Sequence, residues 1–236
     1  MKVLVIPDVH LKPRLFDRAS ALLDVGVAEQ AVCLMDLPDS WGQGMNIDLY
    51  LETFDAAIRF AKKHPETLWC YGNHDLSYVW RQPESGFSNY AIMPVNHKLR
   101  ALRKALPDAG QMAYIHRIDD VLFMHGGLTR RFVEYFVPDL LYDNTDEVIR
   151  IINELGSIEM WEDDSPIWYR PQFYSEEMYR EEDMLQVVGH TPVTGIERDG
   201  NVISCDLFST YRSGEPIGTQ EYLLIETETW KYRGVK

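Results

Sequence analysis

Short apolar runs alternate with amphipathic segments in the first third of the chain. Residues 2–6, 30–35 and 67–71 have the length and composition of buried strands. Segments 15–23 and 47–61 carry apolar residues at helical spacing, and the second has charged residues on its opposite face. This β-α-β-α-β order predicts parallel strands joined by helical crossovers.

The middle and the C-terminal part of the chain are richer in strand signals. Residues 112–118 and 121–124 flank Asp119-Asp120, which predicts a tight hairpin. The C-terminal part consists of short apolar runs, with turn signals at Asp199-Gly200 and at Ser213-Gly214. We therefore expect short strands in both regions.

An acidic segment lies between these two regions. Asn144, followed by Glu147, an apolar stripe and Gly156, predicts a capped helix over residues 144–156. The segment at about 139–183 is strongly acidic and rich in Trp and Tyr, and we interpret it as a helical elaboration on the core. Because no repeat, low-complexity tract or linker interrupts the chain, we predict one domain over residues 1–236.

Composition narrows the class of protein. Hydrophobic residues make up 45% of the 236 residues, as in a globular protein with a sizeable core, and the net charge is −14. Such an acidic surface repels nucleic-acid backbones, which disfavours general DNA or RNA binding. The sequence shows no signal peptide and no membrane-spanning run, and its three cysteines have no disulfide or zinc-site spacing. We expect a cytoplasmic protein without membrane contact and with buried, unpaired cysteines.

Polar clusters follow the predicted strands at five places. They are Asp8-Val9-His10, Asp36, Asn73-His74-Asp75, His125 and His190. In open α/β sheets the carboxyl ends of the strands form the edge at which ligands bind. The five clusters are therefore expected to meet on one rim.

Asp, His and Asn side chains suit hard or borderline divalent cations. Asp8 and His10 are two residues apart, so they project from the same side of the chain and can hold one ion together. Further ligands for a second ion are Asp36, Asn73, His125 and His190, of which the Asp36 carboxylate can bridge both ions. Two ions about 3.5–4 Å apart activate water and clamp the oxygens of a phosphoryl displacement. The residues thus indicate metal-assisted hydrolysis.

The same clusters carry a family resemblance. The chain resembles the calcineurin-like metallophosphoesterase superfamily, and within it the bacterial serine/threonine phosphoprotein phosphatase branch. The five motifs are Asp8-Val9-His10, Asp36-Leu37-Pro38-Asp39, Gly72-Asn73-His74-Asp75, His125-Gly126-Gly127 and Gly189-His190-Thr191. The resemblance implies an α/β fold, a four-layer α/β/β/α sandwich of two mixed β-sheets flanked by helices.

The resemblance also implies a role for each motif residue. Asp8 and His10 would bind the first of two divalent metals, and Asp36 would bridge to the second. The second metal would be completed by Asn73, His125 and His190. His74 would be the general acid that protonates the leaving group, with Asp39 polarising its imidazole. The expected metal is Mn, with Fe, Zn or Mg as alternatives, and a hydroxide between the metals would be the nucleophile.

Three details bear on the substrate. Pro192 stands where phosphodiesterases of the superfamily commonly have a second histidine, which favours the phosphatase branch. Arg170 lies in a segment that resembles the Leu-Trp-x-Arg of bacterial members, and it is expected to bind the substrate phosphate together with Asn73. Ser40 stands where a second phosphate-binding arginine is usual. Phosphate binding is therefore weaker, supplied from elsewhere or adapted to another substrate.

Three functions remain open at this point. The first is a phosphomonoesterase or protein serine/threonine phosphatase, acting on a phosphorylated small molecule or a phosphoprotein. The second is a dinucleoside polyphosphate hydrolase of the diadenosine tetraphosphate type. The third is a non-catalytic scaffold, although the intact ligand set and the intact Asp39–His74 pair count against it. The sequence does not indicate an oligomeric state.

Other aromatic and histidine residues carry weaker signals. Four aromatics are candidates to line a substrate pocket, although core positions are commoner for such residues: Trp161, Trp168, Tyr169 and Tyr174. Three histidines outside the motifs are expected to be ordinary surface or packing residues: His64, His97 and His116.

Overall fold

Two β-sheets form the centre of the computed structural model, which describes all 236 residues. The strands are β1 (Lys2–Ile6), β2 (Gln30–Cys33), β3 (Leu68–Cys70), β4 (Met112–Ala113), β5 (Ile115–Ile118), β6 (Val121–Met124), β7 (Leu185–Pro192), β8 (Glu197–Asp199), β9 (Val202–Asp206), β10 (Tyr222–Glu226) and β11 (Lys231–Val235). The first sheet has the order β11-β10-β1-β2-β3-β4, and the second has the order β5-β6-β7-β9-β8.

Both sheets mix parallel and antiparallel pairs. In the first sheet β1 to β4 are parallel to one another, as the alternation of strands and helices predicts, and β10 and β11 are antiparallel additions. In the second sheet β6, β7 and β9 are parallel, whereas the edge strands β5 and β8 are antiparallel to their neighbours.

Helices cover the outer face of each sheet. They are α1 (Arg14–Asp24), α2 (Ile47–Lys63), α3 (Asn73–Trp80), α4 (Ile92–Ala105), α5 (Arg130–Phe136), α6 (Thr145–Asn153) and α7 (Ser157–Met160), with short 3-10 turns at Ala109–Gln111 and Asp139–Leu141. The apolar faces of α1, α2 and α4 pack on the first sheet, and those of α5, α6 and α7 pack on the second. The predicted four-layer α/β sandwich is confirmed.

The space between the two sheets is filled by apolar side chains, most of them valine, isoleucine and leucine. Val3, Val5 and Val32 from the first sheet meet Val187 and Ile203 from the second, and all five are fully buried. Because neighbouring side chains of a strand point to opposite faces, the residues between these positions pack under the helices. Because these strands are buried on both faces, apolar residues occupy nearly every position, as in the continuous apolar runs of the sequence.

The predicted strand over residues 112–118 is divided between the sheets. β4 pairs with β3 in the first sheet, whereas β5 pairs with β6 in the second, and Tyr114 lies between them. The Asn153 side chain accepts hydrogen bonds from the N–H groups of Tyr114 and Ile115, both at 3.0 Å, and donates to the Ile115 carbonyl at 2.9 Å. Asn153 thus replaces the ladder bonds lost where the chain changes sheets.

The predicted helix over residues 144–156 is three residues shorter at its end. Asn144 is the N-cap, and its side chain accepts a hydrogen bond from the Glu147 N–H at 3.3 Å, as predicted. The helix ends at Asn153, however, and Gly156 starts α7, where its N–H donates to Glu159 Oε2 at 3.0 Å. Gly156 is therefore an N-cap rather than a helix stop.

None of the helices combines the length and the hydropathy that a membrane span requires.

Cys33, Cys70 and Cys205 are buried and unpaired, which confirms the prediction for the cysteines.

Candidate functional site

The loops that follow β1 and β2 run side by side at the carboxyl edge of the first sheet. The backbone N–H of Val9 donates to the carbonyl of Met35 at 3.0 Å, and that of His10 donates to Asp36 at 2.8 Å. These bonds continue the pairing of the two strands by a few residues, and they bring Asp8, His10 and Asp36 together. The predicted convergence at the strand ends thus begins with the backbone.

The remaining predicted ligands come from both sheets. Asn73 is the first residue of α3, directly after β3, and His125 directly follows β6. His190 was predicted to follow a strand, but it lies inside β7, at an irregularity between Val188 and Pro192. Its N–H donates to Asp8 Oδ1 at 2.9 Å, so the irregularity links the two sheets at the site.

Three potential acceptor atoms surround Nε2 of His125. Nδ1 of His125 donates to the Leu34 carbonyl at 3.0 Å. Its Nε2 lies 3.1 Å from Asn73 Oδ1, 3.1 Å from His190 Nδ1 and 3.2 Å from Asp36 Oδ2. Burial lowers the pKa of His125, but Asp36 and Asp8 outweigh this effect and raise the pKa to about 9. The cluster therefore attracts positive charge, which a proton or a metal cation supplies.

A second cluster consists of Asp8, His10 and Asp36, whose ligand atoms lie within 4.8 Å of one another. Asp8 is fully buried, and its Oδ2 has no hydrogen-bond partner. Burial raises the pKa of Asp8 to about 6 and lowers that of His10 to about 3, so the His10 imidazole is neutral at pH 7. A neutral imidazole beside an unpartnered carboxylate oxygen fits a divalent cation.

Asp36 belongs to both clusters, because the second group of potential ligands is Asp36, His125 and His190. Its Oδ2 lies 3.2 Å from His125 Nε2 and 3.8 Å from His10 Nε2, between the two groups. Although burial opposes ionisation, His125 and His74 hold the pKa of Asp36 well below its usual range. This is the position that a bridging carboxylate requires.

Several site residues have left-handed backbone conformations. The φ angles are 42° at His10, 42° at Asp36, 64° at Asp39 and 62° at His190. Each such conformation costs a non-glycine residue about 1–3 kcal/mol, and it persists only where the surrounding structure enforces it. Four of the eleven non-glycine residues with positive φ thus lie in three of the five motifs, which is consistent with a functional site in this region.

His74 forms an ion-pair contact with Asp39. Nδ1 of His74 lies 2.9 Å from Asp39 Oδ2, and the backbone N–H of His74 donates to Asp36 Oδ1 at 3.0 Å. Burial lowers the pKa of His74, but Asp36 and Asp39 together raise it to about 9. The imidazole is therefore protonated at neutral pH, with Nε2–H free to donate, while a bound cation would offset the Asp36 contribution.

Two tyrosines that the sequence did not reveal hold Asp39 in place. The hydroxyl of Tyr50, on α2, donates to Asp39 Oδ1 at 2.8 Å, and the hydroxyl of Tyr78, on α3, donates to the same oxygen. Tyr78 in turn accepts from the Ser88 N–H at 2.9 Å. Oδ2 is thereby left to face His74, which fixes the ring and its tautomer.

Asp75 holds the backbone of the second loop. Its carboxylate accepts from the N–H groups of Asp36 at 2.8 Å, Leu37 at 3.1 Å and Gly72 at 3.1 Å. These bonds compensate the strained conformation of Asp36 and connect it to the start of α3. Asp75 is thus a positioning residue, which explains an acidic residue at this place in the Gly72–Asp75 motif.

Gly189 leaves room for the Asp8 carboxylate. A Cβ atom at residue 189 would lie 2.2 Å from Asp8 Oδ2, which side chains do not tolerate. We expect Gly189→Ala to lower the free energy of unfolding by about 1–3 kcal/mol through overpacking. Because Asp8 is a predicted metal ligand, the variant should also bind less metal.

Gly195→Ala is the matched control for this prediction, because a Cβ at Gly195 meets nothing within 4 Å. Urea denaturation and metal analysis of both variants are the measurements. If Gly189→Ala is as stable and as metal-rich as Gly195→Ala, Asp8 does not need the space beside Gly189.

A cavity of about 360 Å³ opens above the two clusters. Its lining includes Ser40 and, among the predicted site residues, His10, Asp39, His74 and His190. Arg170 lines it as well, and its Nη1 donates to the His190 carbonyl at 2.9 Å and to Thr191 Oγ1 at 3.1 Å. The predicted phosphate-binding arginine therefore lies at the same cavity as the predicted general acid.

The aromatic residues at this cavity differ from those considered in the sequence. Trp161, Trp168 and Tyr169 pack in the apolar cluster under the second sheet, and Tyr174 is exposed elsewhere. None of the four lines the cavity, whereas Trp41 and Tyr211 do. The reason is that the segment after α7 is folded back onto the second sheet.

Comparison with known proteins identifies the family. The family model for calcineurin-like phosphoesterases matches residues 1–213. A search of curated proteins gives no match. Among solved structures, the chain is similar to a cold-active protein-tyrosine phosphatase of the psychrophile Shewanella sp., with 17% identity and a TM-score of 0.57 over 100% of this chain and 80% of the other.

Another structure of a cold-active protein tyrosine phosphatase gives 19% identity and a TM-score of 0.56, over 100% of this chain and 78% of the other. At such identities the likeness concerns the fold alone. The family match covers nearly the whole chain and includes all five motifs. The chain belongs to the calcineurin-like phosphoesterase family, and with it to the metal-dependent phosphoester hydrolases.

Proposed function

We propose that the protein is a two-metal phosphomonoesterase. One divalent cation would be held by Asp8, His10 and Asp36, and the second by Asp36, Asn73, His125 and His190. The observation that carries the proposal is the pair of ligand clusters that share Asp36, next to the His74–Asp39 pair and below one cavity. Bound divalent cations lower the pKa of a coordinated water and neutralise phosphate oxygens.

The residues of the chain itself provide the rest of the chemistry. His74 donates a proton to the oxygen of the leaving group, and Asp39 keeps its imidazole oriented and charged through the 2.9 Å contact. Arg170 and Asn73 bind the phosphate oxygens, because a guanidinium fork and an amide N–H₂ both donate. Burial of Asp8, Asp36 and His125 strengthens the electrostatic interactions within the clusters.

We propose manganese as the metal, and the donor set is compatible with it. All ligands are oxygen or imidazole nitrogen, which suit Mn, Fe, Zn or Mg rather than a soft metal. The unpaired state of the three buried cysteines supports a reducing cytoplasm as the place of action.

The cavity favours a small phosphomonoester among the possible substrates. Its volume of about 360 Å³ is at the low end for ligand pockets. A diadenosine polyphosphate, with two nucleosides and several phosphates, needs more space than this. A phosphoprotein substrate would insert only its phosphorylated side chain.

The test is hydrolysis by the metal-stripped protein with Mn²⁺ added back. The panel consists of p-nitrophenyl phosphate, bis-p-nitrophenyl phosphate, a phosphoserine peptide and diadenosine tetraphosphate. We expect Mn²⁺-dependent turnover of p-nitrophenyl phosphate, with little turnover of the diester. Preference for diadenosine tetraphosphate would support the alternative function, and no turnover with two metals bound would support a non-catalytic scaffold.

A further inference from the structure

Three cations line the cavity without forming a salt bridge. Lys12, Arg170 and Arg212 all line it, and none of them forms a salt bridge. The chain has 37 acidic residues and only 23 basic ones, so acidic partners are not scarce. Lys12 is close to the carboxylates of Asp8 and Asp206, and Arg170 is close to those of Asp8, Asp36 and Asp206. A cation without an ion pair at a cavity, such as Arg212, indicates that a ligand supplies the negative charge.

Two of these cations lie beside the metal-ligand clusters. Nζ of Lys12 donates to the His10 carbonyl at 3.4 Å, and Arg170 donates to the His190 carbonyl at 2.9 Å. Both are thus attached to the backbone of predicted ligands. We expect both of them to contact the phosphate of the proposed reaction.

Arg212 is held at another part of the cavity wall. Its guanidinium carbon lies 4.8 Å from the centre of the Trp41 ring, a cation–π contact. Trp41 Nε1 donates to the Thr210 carbonyl at 3.0 Å, and the Tyr211 N–H donates to Glu215 at 2.9 Å, which braces the loop. Arg212 is itself exposed, and the contact with Trp41 keeps its guanidinium at the cavity wall.

We propose that Arg212 binds a second anionic group of the substrate, so that the enzyme prefers small phosphomonoesters that carry a carboxylate or a further phosphate. This inference rests on the proposed phosphomonoesterase function. Two divalent cations held by Asp8 and Asp36 would balance the charge of one phosphate dianion, and Lys12 and Arg170 would reinforce that position. Arg212 is therefore available for another anion, and it contacts Trp41, the residue next to the uncharged Ser40.

The test compares substrates that differ only in the second anionic group. 3-Phosphoglycerate and glycerol 3-phosphate form one pair, because a carboxylate replaces a hydroxymethyl group. Fructose 1,6-bisphosphate and fructose 6-phosphate form the other, in which the second anion is a phosphate. We expect the Mn²⁺ enzyme to prefer the more anionic member of at least one pair, and the pair concerned identifies the kind of anion.

Arg212→Gln should lower kcat/KM for the more anionic member about tenfold, the size of one charge-assisted contact, and for its partner less than about twofold. Arg212→Lys, which keeps the charge, should retain part of the preference. Arg198→Gln is the matched control, since Arg198 lies 5.9 Å from the Trp230 ring in a similar contact but away from the cavity. Binding of the same pairs to the His74→Asn holoprotein, measured by calorimetry, should show the same differences without turnover.

Equal losses for both members of a pair would overturn the inference, because Arg212 would then bind the reacting phosphate. Unchanged preference in Arg212→Gln, or no preference in the wild type, would overturn it as well. Turnover of p-nitrophenyl phosphate separates the two proposals. If that ester is hydrolysed but neither pair shows a preference for its more anionic member, only the second anion site fails. If no ester is hydrolysed, the phosphomonoesterase function fails, and calorimetry still tests the anion site.

Discussion

His74→Asn is expected to lower kcat by about 10²–10⁴-fold while the protein keeps its full metal content. His74 is not part of either ligand cluster, and its ring contacts Asp39 at 2.9 Å and faces the cavity. Asn fills similar space near Asp39 but has no proton to transfer to a leaving group. The loss should therefore lie in kcat, with metal binding unchanged.

The leaving group provides a sharper measurement. A phenol with a pKa of about 10 needs protonation more than the more acidic p-nitrophenol does. We therefore expect a larger loss with phenyl phosphate than with p-nitrophenyl phosphate. His97→Asn, at an exposed position on α4, is the control and should change neither rate. A metal-free His74→Asn protein, or equal losses for both esters, would contradict the role of general acid.

The positions of the predicted ligands followed from the sequence because each lies next to an apolar run. A strand such as β1 must end where its hydrophobic residues end, and Asp8 follows two residues later. Parallel strands then bring such positions to the same edge. His190 was the exception, since an irregularity inside β7 does not change the apolar pattern around it.

The residues that position the site could not be found in this way. Tyr50 and Tyr78 lie on the apolar faces of helices, and a tyrosine there has the same pattern as any core aromatic residue. Whether its hydroxyl reaches Asp39 depends on how α2 and α3 pack. The contact of Arg212 with Trp41 joins residues that are far apart in sequence, and no local periodicity reports it.

The change of sheets at Tyr114 has a similar explanation. Residues 112–118 contain no turn signal, and β4 and β5 both begin with a buried residue, so the sequence gives no sign of a break between them. Their separation depends on the Asn153 side chain, which comes from α6 about forty positions later. Side-chain bonds of this kind are tertiary interactions, and the sequence pattern of a single segment does not contain them.

Asp36→Asn is expected to remove both metals and to reduce turnover to background. Asp36 contributes to both clusters, so the loss of its charge weakens two sites at once. The amide keeps an oxygen to accept from the His74 N–H, which the carboxylate accepts at 3.0 Å, and the fold should therefore survive. If the amide N–H₂ takes the place of Oδ2, it sets a donor 3.2 Å from His125 Nε2, where a cation would otherwise bind.

Metal analysis after dialysis and circular dichroism are the measurements for this variant. In the metal-free state, the pKa of His125 should also fall below about 9, because Asp36 provides the largest raising contribution, and NMR titration of the imidazole can follow this. Asp48→Asn, at an exposed position in the first turn of α2, is the control and should keep metals and activity. If Asp36→Asn retains two metals per chain, Asp36 does not bridge them, and the ligand set must be completed without it.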